Sequence, residues 1–240
     1  MRNTVRSKLL IIAVALLPLL AAAAFAGQTV SENRPVVNFS AIRASGGYTI
    51  YLAQDSTASL RLEGEKDDVA KIVTEVVNGT LVIKHKSGIR LFSFDHDDVK
   101  VYVGFKDINA IELSGSNDLV GQKPLRFKDL SIEVSGSGDI NLDLQAGQVG
   151  AGLSGSGDLT LKGGAEELTV DVSGSSDIRC LDLKAKKVAL TISGSGDAQV
   201  DVSQELKVDI SGSGDVKYRG NPVKVNQSVS GSGDIEKIGQ

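Results

Sequence analysis

The 240-residue sequence carries 26 Lys and Arg against 30 Asp and Glu, a formal charge of −4, with no tryptophan and a single cysteine. No basic patch is present, so nucleic acid is not an expected partner, and one thiol forms no internal disulfide. The acidity favours solubility and contact with cations.

The chain opens on a secretory pattern. Arg2, Arg6 and Lys8 form a positive start, Leu9 to Leu20 is an apolar run broken only by Pro18, and Ala24-Phe25-Ala26 reads as a small-x-small cleavage site before Gly27. A membrane anchor is the competing reading, because the apolar run extended through Ala26 is about eighteen residues long. The alanine-rich end and the cleavage site favour removal, and the lack of a nearby cysteine argues against a lipid anchor. Residues 1–26 are therefore expected to be a signal peptide. Its removal takes away three basic residues and no acidic ones, leaving a formal charge of −7. No later segment is apolar enough for a membrane span.

Residues 27–35 read as a flexible leader. From Val36 the strand signals begin, and residues 36–108 are expected to form a β-rich N-terminal cap. Ser45-Gly46-Gly47 followed by Tyr48-Thr49-Ile50-Tyr51-Leu52 has the form of a glycine turn and an alternating strand. Ser59 to Gly64 predicts another strand. Asp67 to Val77 predicts one short helix, with Asp67 or Asp68 as cap and Val69, Ile72 and Val73 on one face. Asn78-Gly79 predicts a hairpin turn between Val76-Val77 and Leu81-Val82-Ile83. Val99 to Phe105 is a further strand.

Residues 109–240 are a repeat. Ser-Gly-Ser-x-Asp starts at Ser114, Ser135, Ser154, Ser173, Ser193, Ser211 and Ser230, at spacings of 18 to 21 residues. Apolar residues alternate with polar ones on both sides of each copy, as in Asp139-Ile140-Asn141-Leu142 and Thr169-Val170-Asp171-Val172. A meander of hairpins places alternate turns at opposite ends of a sheet and gives them no reason to be identical. A solenoid stacks all seven in one row, so that identical residues ladder and the apolar columns form one core. The predicted fold is all-β: a right-handed parallel β-solenoid, or β-helix, of about 19-residue coils. With coils about 4.8 Å apart, the row of turns is roughly 29 Å long. The second corner of each coil varies in sequence, for example Lys162-Gly163-Gly164 against Ser203-Gln204-Glu205.

These features together resemble the bacterial family called putative auto-transporter adhesin, head GIN domain. The residues that carry the likeness are Phe39-x-x-Ile42, Ser45-Gly46-Gly47, the short acidic segment, Gly79-Thr80-Leu81-Val82-Ile83 and the Ser-Gly-Ser-Gly-Asp ladder. The resemblance covers about residues 36–236. It implies a solenoid-like all-β fold and an extracytoplasmic location, and it brings no catalytic residues. A C-terminal membrane barrel is not expected.

Stacked turns place Asp118, Asp139, Asp158, Asp177, Asp197, Asp215 and Asp234 in one row roughly 5 Å apart. Adjacent carboxylates then repel by about 1 kcal/mol in water and about 4 kcal/mol at an effective dielectric near 20. Backbone N–H groups of the glycine turns are the expected compensation, with Ser and Asp acting as turn formers. A row of bound Ca²⁺ is the sharper alternative, and no other cofactor is expected. Asp95-His96-Asp97-Asp98 reads as a solvated loop, Lys184, Lys186 and Lys187 as a solvated turn, and Tyr218 as an isolated aromatic. Cys180 sits in an inward column between Leu161 and Val200 and reads as a buried space-filler.

The function expected from the sequence is an exported, non-enzymatic binding or structural module of the cell envelope. Its partner is an unknown protein or glycan. The alternatives are a periplasmic accessory to envelope stress signalling and, less favoured, a polysaccharide-active enzyme. The last needs a cleft with paired acid–base groups and aromatic subsites, and aromatics are only 4% of the chain.

Overall fold

The computed structural model describes residues 28–86 and 99–239. The expected signal peptide, residues 1–26, and Asp95-His96-Asp97-Asp98 lie outside the described residues.

The expected flexible leader is instead a strand. Residues Thr29–Arg34 form β1, which pairs antiparallel with β4 (Ser59–Glu65). Val30 packs on the core, and the Arg34 guanidinium donates to the carbonyls of Ile72 (3.0 Å) and Val69 (3.1 Å). Ala41–Gly46 (β2) and Thr49–Gln54 (β3) flank the Gly46-Gly47 turn.

The predicted helix shortens to α1, Lys66–Val69, with no side-chain cap. The remainder of that segment is β5, Ile72–Val77, hairpinned to β6, Thr80–His85. The run Ile72-Val73-Thr74-Glu75-Val76-Val77 is rich in β-branched residues, which suit a pleated surface better than a helix. Asn78 (φ 50°) and Gly79 (φ 78°) then form the predicted two-residue turn, and such a turn requires a strand on each side. The excursion closes with β7, Lys100–Phe105.

From Ala110 the chain coils. The first coil holds β8 (Ala110–Gly115), β9 (Asp118–Gly121) and β10 (Leu125–Arg126). After β11 (Asp129–Gly136) come long strands that bend through the variable corner: β12 (Ile140–Gly155), β13 (Leu159–Gly174), β14 (Ile178–Gly194) and β15 (Ala198–Gly212). The end is β16 (Val216–Arg219), β17 (Lys224–Gly231) and β18 (Ile235–Lys237). Each coil pairs in parallel with the next, and each motif aligns with the one below it, as Ser135-Gly136 does with Ser154-Gly155. The structure is thus the predicted β-solenoid, of about seven turns with parallel bridges about 19 residues apart. Because the motif corner never slips, unequal repeat lengths are absorbed elsewhere. Register shifts fall between Thr160 and Gly163, Cys180 and Lys184, and Ala185 and Lys187.

The turn at Ser45-Gly46-Gly47 belongs to the stack. β2 lies parallel to β8 with Gly46 beside Gly115, and β3 lies parallel to β9. Beyond this coil, β6 and β7 add in parallel, and then β5 and β4 close the two edges antiparallel. The core is one continuous column set. Ile111, Ile132, Val170, Leu190 and Val208 stack on one side, facing Leu142, Leu161, Cys180 and Val200, all buried.

Burial pushes the Cys180 thiol up to about 12. The native protein is therefore expected to resist a thiol reagent at pH 8 and to react once unfolded. Labelling with and without denaturant checks this; fast native labelling contradicts it.

Candidate functional site

Three hydrogen-bond ladders run through the motif corner. The N–H of the third motif residue donates to the second residue's carbonyl in the coil before, as Ser156 does to Gly136 (3.0 Å) and Ser195 to Gly174 (3.0 Å). The N–H after the aspartate donates to the next coil's aspartate carbonyl, as Ile140 does to Asp158 (2.8 Å). Between them the aspartate side chains form the third ladder. Asp118 Oδ1 accepts from Asp139 N–H (3.0 Å), Asp139 from Asp158 (3.0 Å), and Asp158 from Asp177 (3.1 Å). Asp177 accepts from Asp197 (3.2 Å), Asp197 from Asp215 (2.8 Å), and Asp215 from Asp234 (2.9 Å). Asp234 Oδ1 accepts from Ile235 N–H (2.9 Å).

The seven aspartates are therefore brought into one row, each holding the backbone of a neighbouring residue. For the first six the donor is the aspartate N–H of the following coil rather than an N–H of the residue's own turn. Arg179 adds charge compensation, bridging Asp158 Oδ2 (2.6 Å) and Asp177 Oδ2 (2.9 Å). Among the described residues no group of three His, Cys, Asp or Glu side chains is arranged to hold a metal ion.

The variable motif position points inward. Asn117 and Ser176 are buried there, and a Cβ at Gly138 falls 1.7 Å from the Asn117 carbonyl oxygen. Asn117 fits where it does because Tyr48 occupies the coil above. Its Oδ1 accepts from Tyr48 N–H (3.2 Å) and its amide donates to Ser114 O (2.8 Å).

Beside the aspartate row runs a second outward column, two residues after each aspartate: Val120, Asn141, Thr160, Arg179, Gln199, Lys217 and Glu236, paired in register. Val120 and Thr160 are half-buried and the others are exposed. The column was readable in the repeat as the polar partner of the inward residue, but its chemistry differs from coil to coil, so alignment of the motif does not draw attention to it. Toward the N-terminal end it continues into Tyr51 stacked on Tyr102 (5.0 Å between centroids), with the Arg61 guanidinium 3.8 Å over the Tyr102 ring. These ring faces are occupied by each other and by Arg61. His85 packs beside Tyr48, with ring centroids 5.5 Å apart.

The lysines at 184–187 are more constrained than a solvated turn. Lys186 pairs with Glu166 (2.7 Å), and Lys184 pairs with Asp201 (2.6 Å), which Arg219 Nε also holds at 2.6 Å. Burial raises the Asp201 carboxyl, but the hydrogen bonds and charges of Lys184 and Arg219 outweigh it and leave it below its ordinary value. A depressed carboxyl stabilises the fold at pH values above its unfolded pKa and loses that contribution as pH falls through the folded one. Asp201→Asn is expected to cost about 1–2 kcal/mol near neutrality, since the lysine is exposed. In urea titrations the gap to wild type should narrow below pH 3.8, the carboxyl's ordinary value. A gap that widens on acidification contradicts this.

The outward side of the other sheet carries a shallow depression of about 400 Å³ lined in part by Arg43, Glu112, Glu133 and Ser135. Arg43 Nη2 donates to Glu112 Oε1 at 3.1 Å, and this hydrogen bond lowers the Glu112 carboxyl further into the ionised range.

A stacked parallel solenoid with an aspartate-laddered corner and flat polar faces defines the class. The sequence matches the model of the family described as putative auto-transporter adhesin, head GIN domain, over residues 38–222, and the chain belongs to that family. A putative adhesin from Bacteroides fragilis is similar in structure, with a TM-score of 0.83 at 25% identity, covering 88% of this chain and 97% of that one. A putative lipid binding protein from Parabacteroides distasonis has a TM-score of 0.70 at 24% identity, covering 89% and 98%. A putative adhesin from the same organism has a TM-score of 0.72 at 22% identity, with the same coverage. These last two likenesses concern the fold alone. No curated protein matches the chain. Among the described residues no helix is long and apolar enough to cross a membrane.

Proposed function

We propose that the chain is an exported, non-enzymatic, adhesin-like binding module of the bacterial cell envelope. Its binding surface is the outward column Asn141, Thr160, Arg179, Gln199 and Lys217 beside the aspartate row. The observation that carries this reading is the in-register repetition of hydrogen-bonding side chains, one per coil, along a flat face. Such a face matches an extended polymer with its own short repeat. From Asn141 to Lys217 the column is polar, which favours a glycan over a lipid chain. Export is supported by the signal-peptide pattern of residues 1–26 and by the adhesin family. The non-enzymatic reading is supported by the shallow depression, where Arg43 binds Glu112, one of its two carboxyls beside Glu133. A carboxyl kept ionised by an arginine is a poor proton donor.

The test is binding of the mature protein to a glycan array and to whole bacterial cells, with Asn141→Ala/Arg179→Ala/Gln199→Ala as comparison. Losing three hydrogen-bonding side chains should weaken binding at least about tenfold. Equal binding by the triple variant, or no binding to either target, overturns the proposal. Fractionation of cells expressing a tagged copy checks the envelope location.

A further inference from the structure

The two ends of the solenoid differ. At the N-terminal end, antiparallel strands close both parallel edges, β4 against β7 and β5 against β6. At the other end, β17 pairs only with β15, and β18 only with β16. Among the described residues nothing lies against their outer edges. An unpaired strand edge is a template for another strand, and proteins protect such edges with charge, proline or short length. β1 carries Glu32 and Arg34, and β5 carries Glu75. β17 has eight residues with one charge, Lys224 at its start, and the run from Val225 to Gly233 contains neither charge nor proline. Apolar exposure also gathers here: Val223 is 93% exposed, Val225 40% and Val229 44%.

The residues of β17 that continue the core columns are Val225, Gln227 and Val229, in register with Leu206, Val208 and Ile210. Gln227 is the exception, a polar residue beneath a valine. The order Val-x-Gln-x-Val is symmetric about Gln227. We infer that β17 pairs antiparallel with β17 of a second copy of this chain, about a two-fold axis at Gln227. A two-fold axis perpendicular to the strand brings identical strands together antiparallel, each residue pairing with its mirror position in the other copy. That is also how this fold closes its other end.

In this register Val225 of one copy covers Val229 of the other, on both sides of the axis. The two Gln227 amides meet and hydrogen-bond, each being donor and acceptor. Lys224, which pairs with Glu205 of its own chain, falls opposite a serine, so no like charges meet. A one-residue slip turns the valines to the other face, and a two-residue slip leaves one unmatched. A polar residue at the axis fixes the register in the way a buried polar residue does at other symmetric interfaces.

Sedimentation of the mature protein tests the pairing, and wild type is expected to dimerise with concentration. Gln227→Lys brings two ammonium groups face to face at an exposed position that the monomer's own core does not use. Its circular dichroism should match wild type, while the dimer dissociation constant rises at least about tenfold. Directly opposed residues of an antiparallel pair lie about 4.5–5.5 Å apart at Cα, within the Cα range of about 4.4–6.8 Å that a disulfide spans. Gln227→Cys should therefore oxidise to a covalent dimer. Asn226→Cys should not, because its opposite residue is Ser228 of the second copy. A monomeric wild type at every concentration, an undiminished dimer in Gln227→Lys, or equal cross-linking by both cysteines overturns the inference.

Discussion

Gly155→Ala is expected to cost about 3–5 kcal/mol and to remove cooperative unfolding of the coils around it. Gly155 is the second motif residue of a middle coil, with φ +138°. A Cβ there falls 2.0 Å from the carbonyl oxygen of Gly136 and 2.9 Å from its carbonyl carbon. Two costs therefore act together. An L side chain rarely adopts that backbone conformation. The clashing atom is backbone, and it accepts the N–H of Ser156 at 3.0 Å, so it cannot withdraw without breaking the serine ladder. The same geometry recurs in the stack, at Gly174 against Gly155 and at Gly194 against Gly174. Each coil's stability depends on its neighbours, so a lesion in the middle uncouples two halves. Gly150→Ala is the internal control. It lies on a strand of the same coil with nothing within 4 Å of a Cβ, and replacing glycine in a strand by alanine is expected to be neutral or stabilising by under about 1 kcal/mol. Urea denaturation of both variants checks this. Equal stability of Gly155→Ala and wild type contradicts the close-approach argument.

The solenoid was legible because its cause is periodic. Alternation on both sides of a repeated glycine turn has one economical solution, and the columns predicted around Ile132, Val170, Leu161 and Cys180 are buried. The N-terminal part was less legible because its determinants are tertiary. β1 has weak alternation of its own and is ordered by the edge of β4, which needs a partner. The segment from Ile72 to Val77 shows apolar residues at a spacing compatible with a helix face, and the competing signal came from outside it, in the Asn78-Gly79 turn. The aspartates are legible as turn residues, but the sequence does not show which N–H each one serves. That depends on how the coils stack. The donor turned out to be one repeat away, 19 residues on for Asp139 and Asp158. The Lys184, Asp201 and Arg219 cluster had no sequence signature, because its members come from three different coils whose repeat lengths differ.

The aspartate ladder leads to the second expected result. Asp139→Ala/Asp158→Ala/Asp177→Ala should lose about 3 kcal/mol, while Asp139→Asn/Asp158→Asn/Asp177→Asn should stay within about 1 kcal/mol of wild type. Each carboxylate Oδ1 accepts one backbone N–H across a coil interface. Deleting it removes the acceptor of an N–H at the coil interface, part-buried at Asp177 and exposed at the other two sites, at about 1 kcal/mol for each. The asparagine amide oxygen accepts in the same place and carries no charge. It also relieves repulsion along the row, which offsets the loss of the stronger charge-assisted bond and of the Arg179 bridge between Asp158 and Asp177. Calcium separates this backbone role from a cation role. If the ladder only holds the backbone, millimolar Ca²⁺ leaves the melting temperature of wild type and both triple variants unchanged. If the row binds cations, Ca²⁺ raises the wild-type melting temperature, and neutral asparagines abolish that rise even though they restore the fold. The asparagine variant is thus the informative one: it keeps each hydrogen bond and removes each charge. A loss of stability in it as large as in the alanine variant contradicts the hydrogen-bond account of the repeated aspartate.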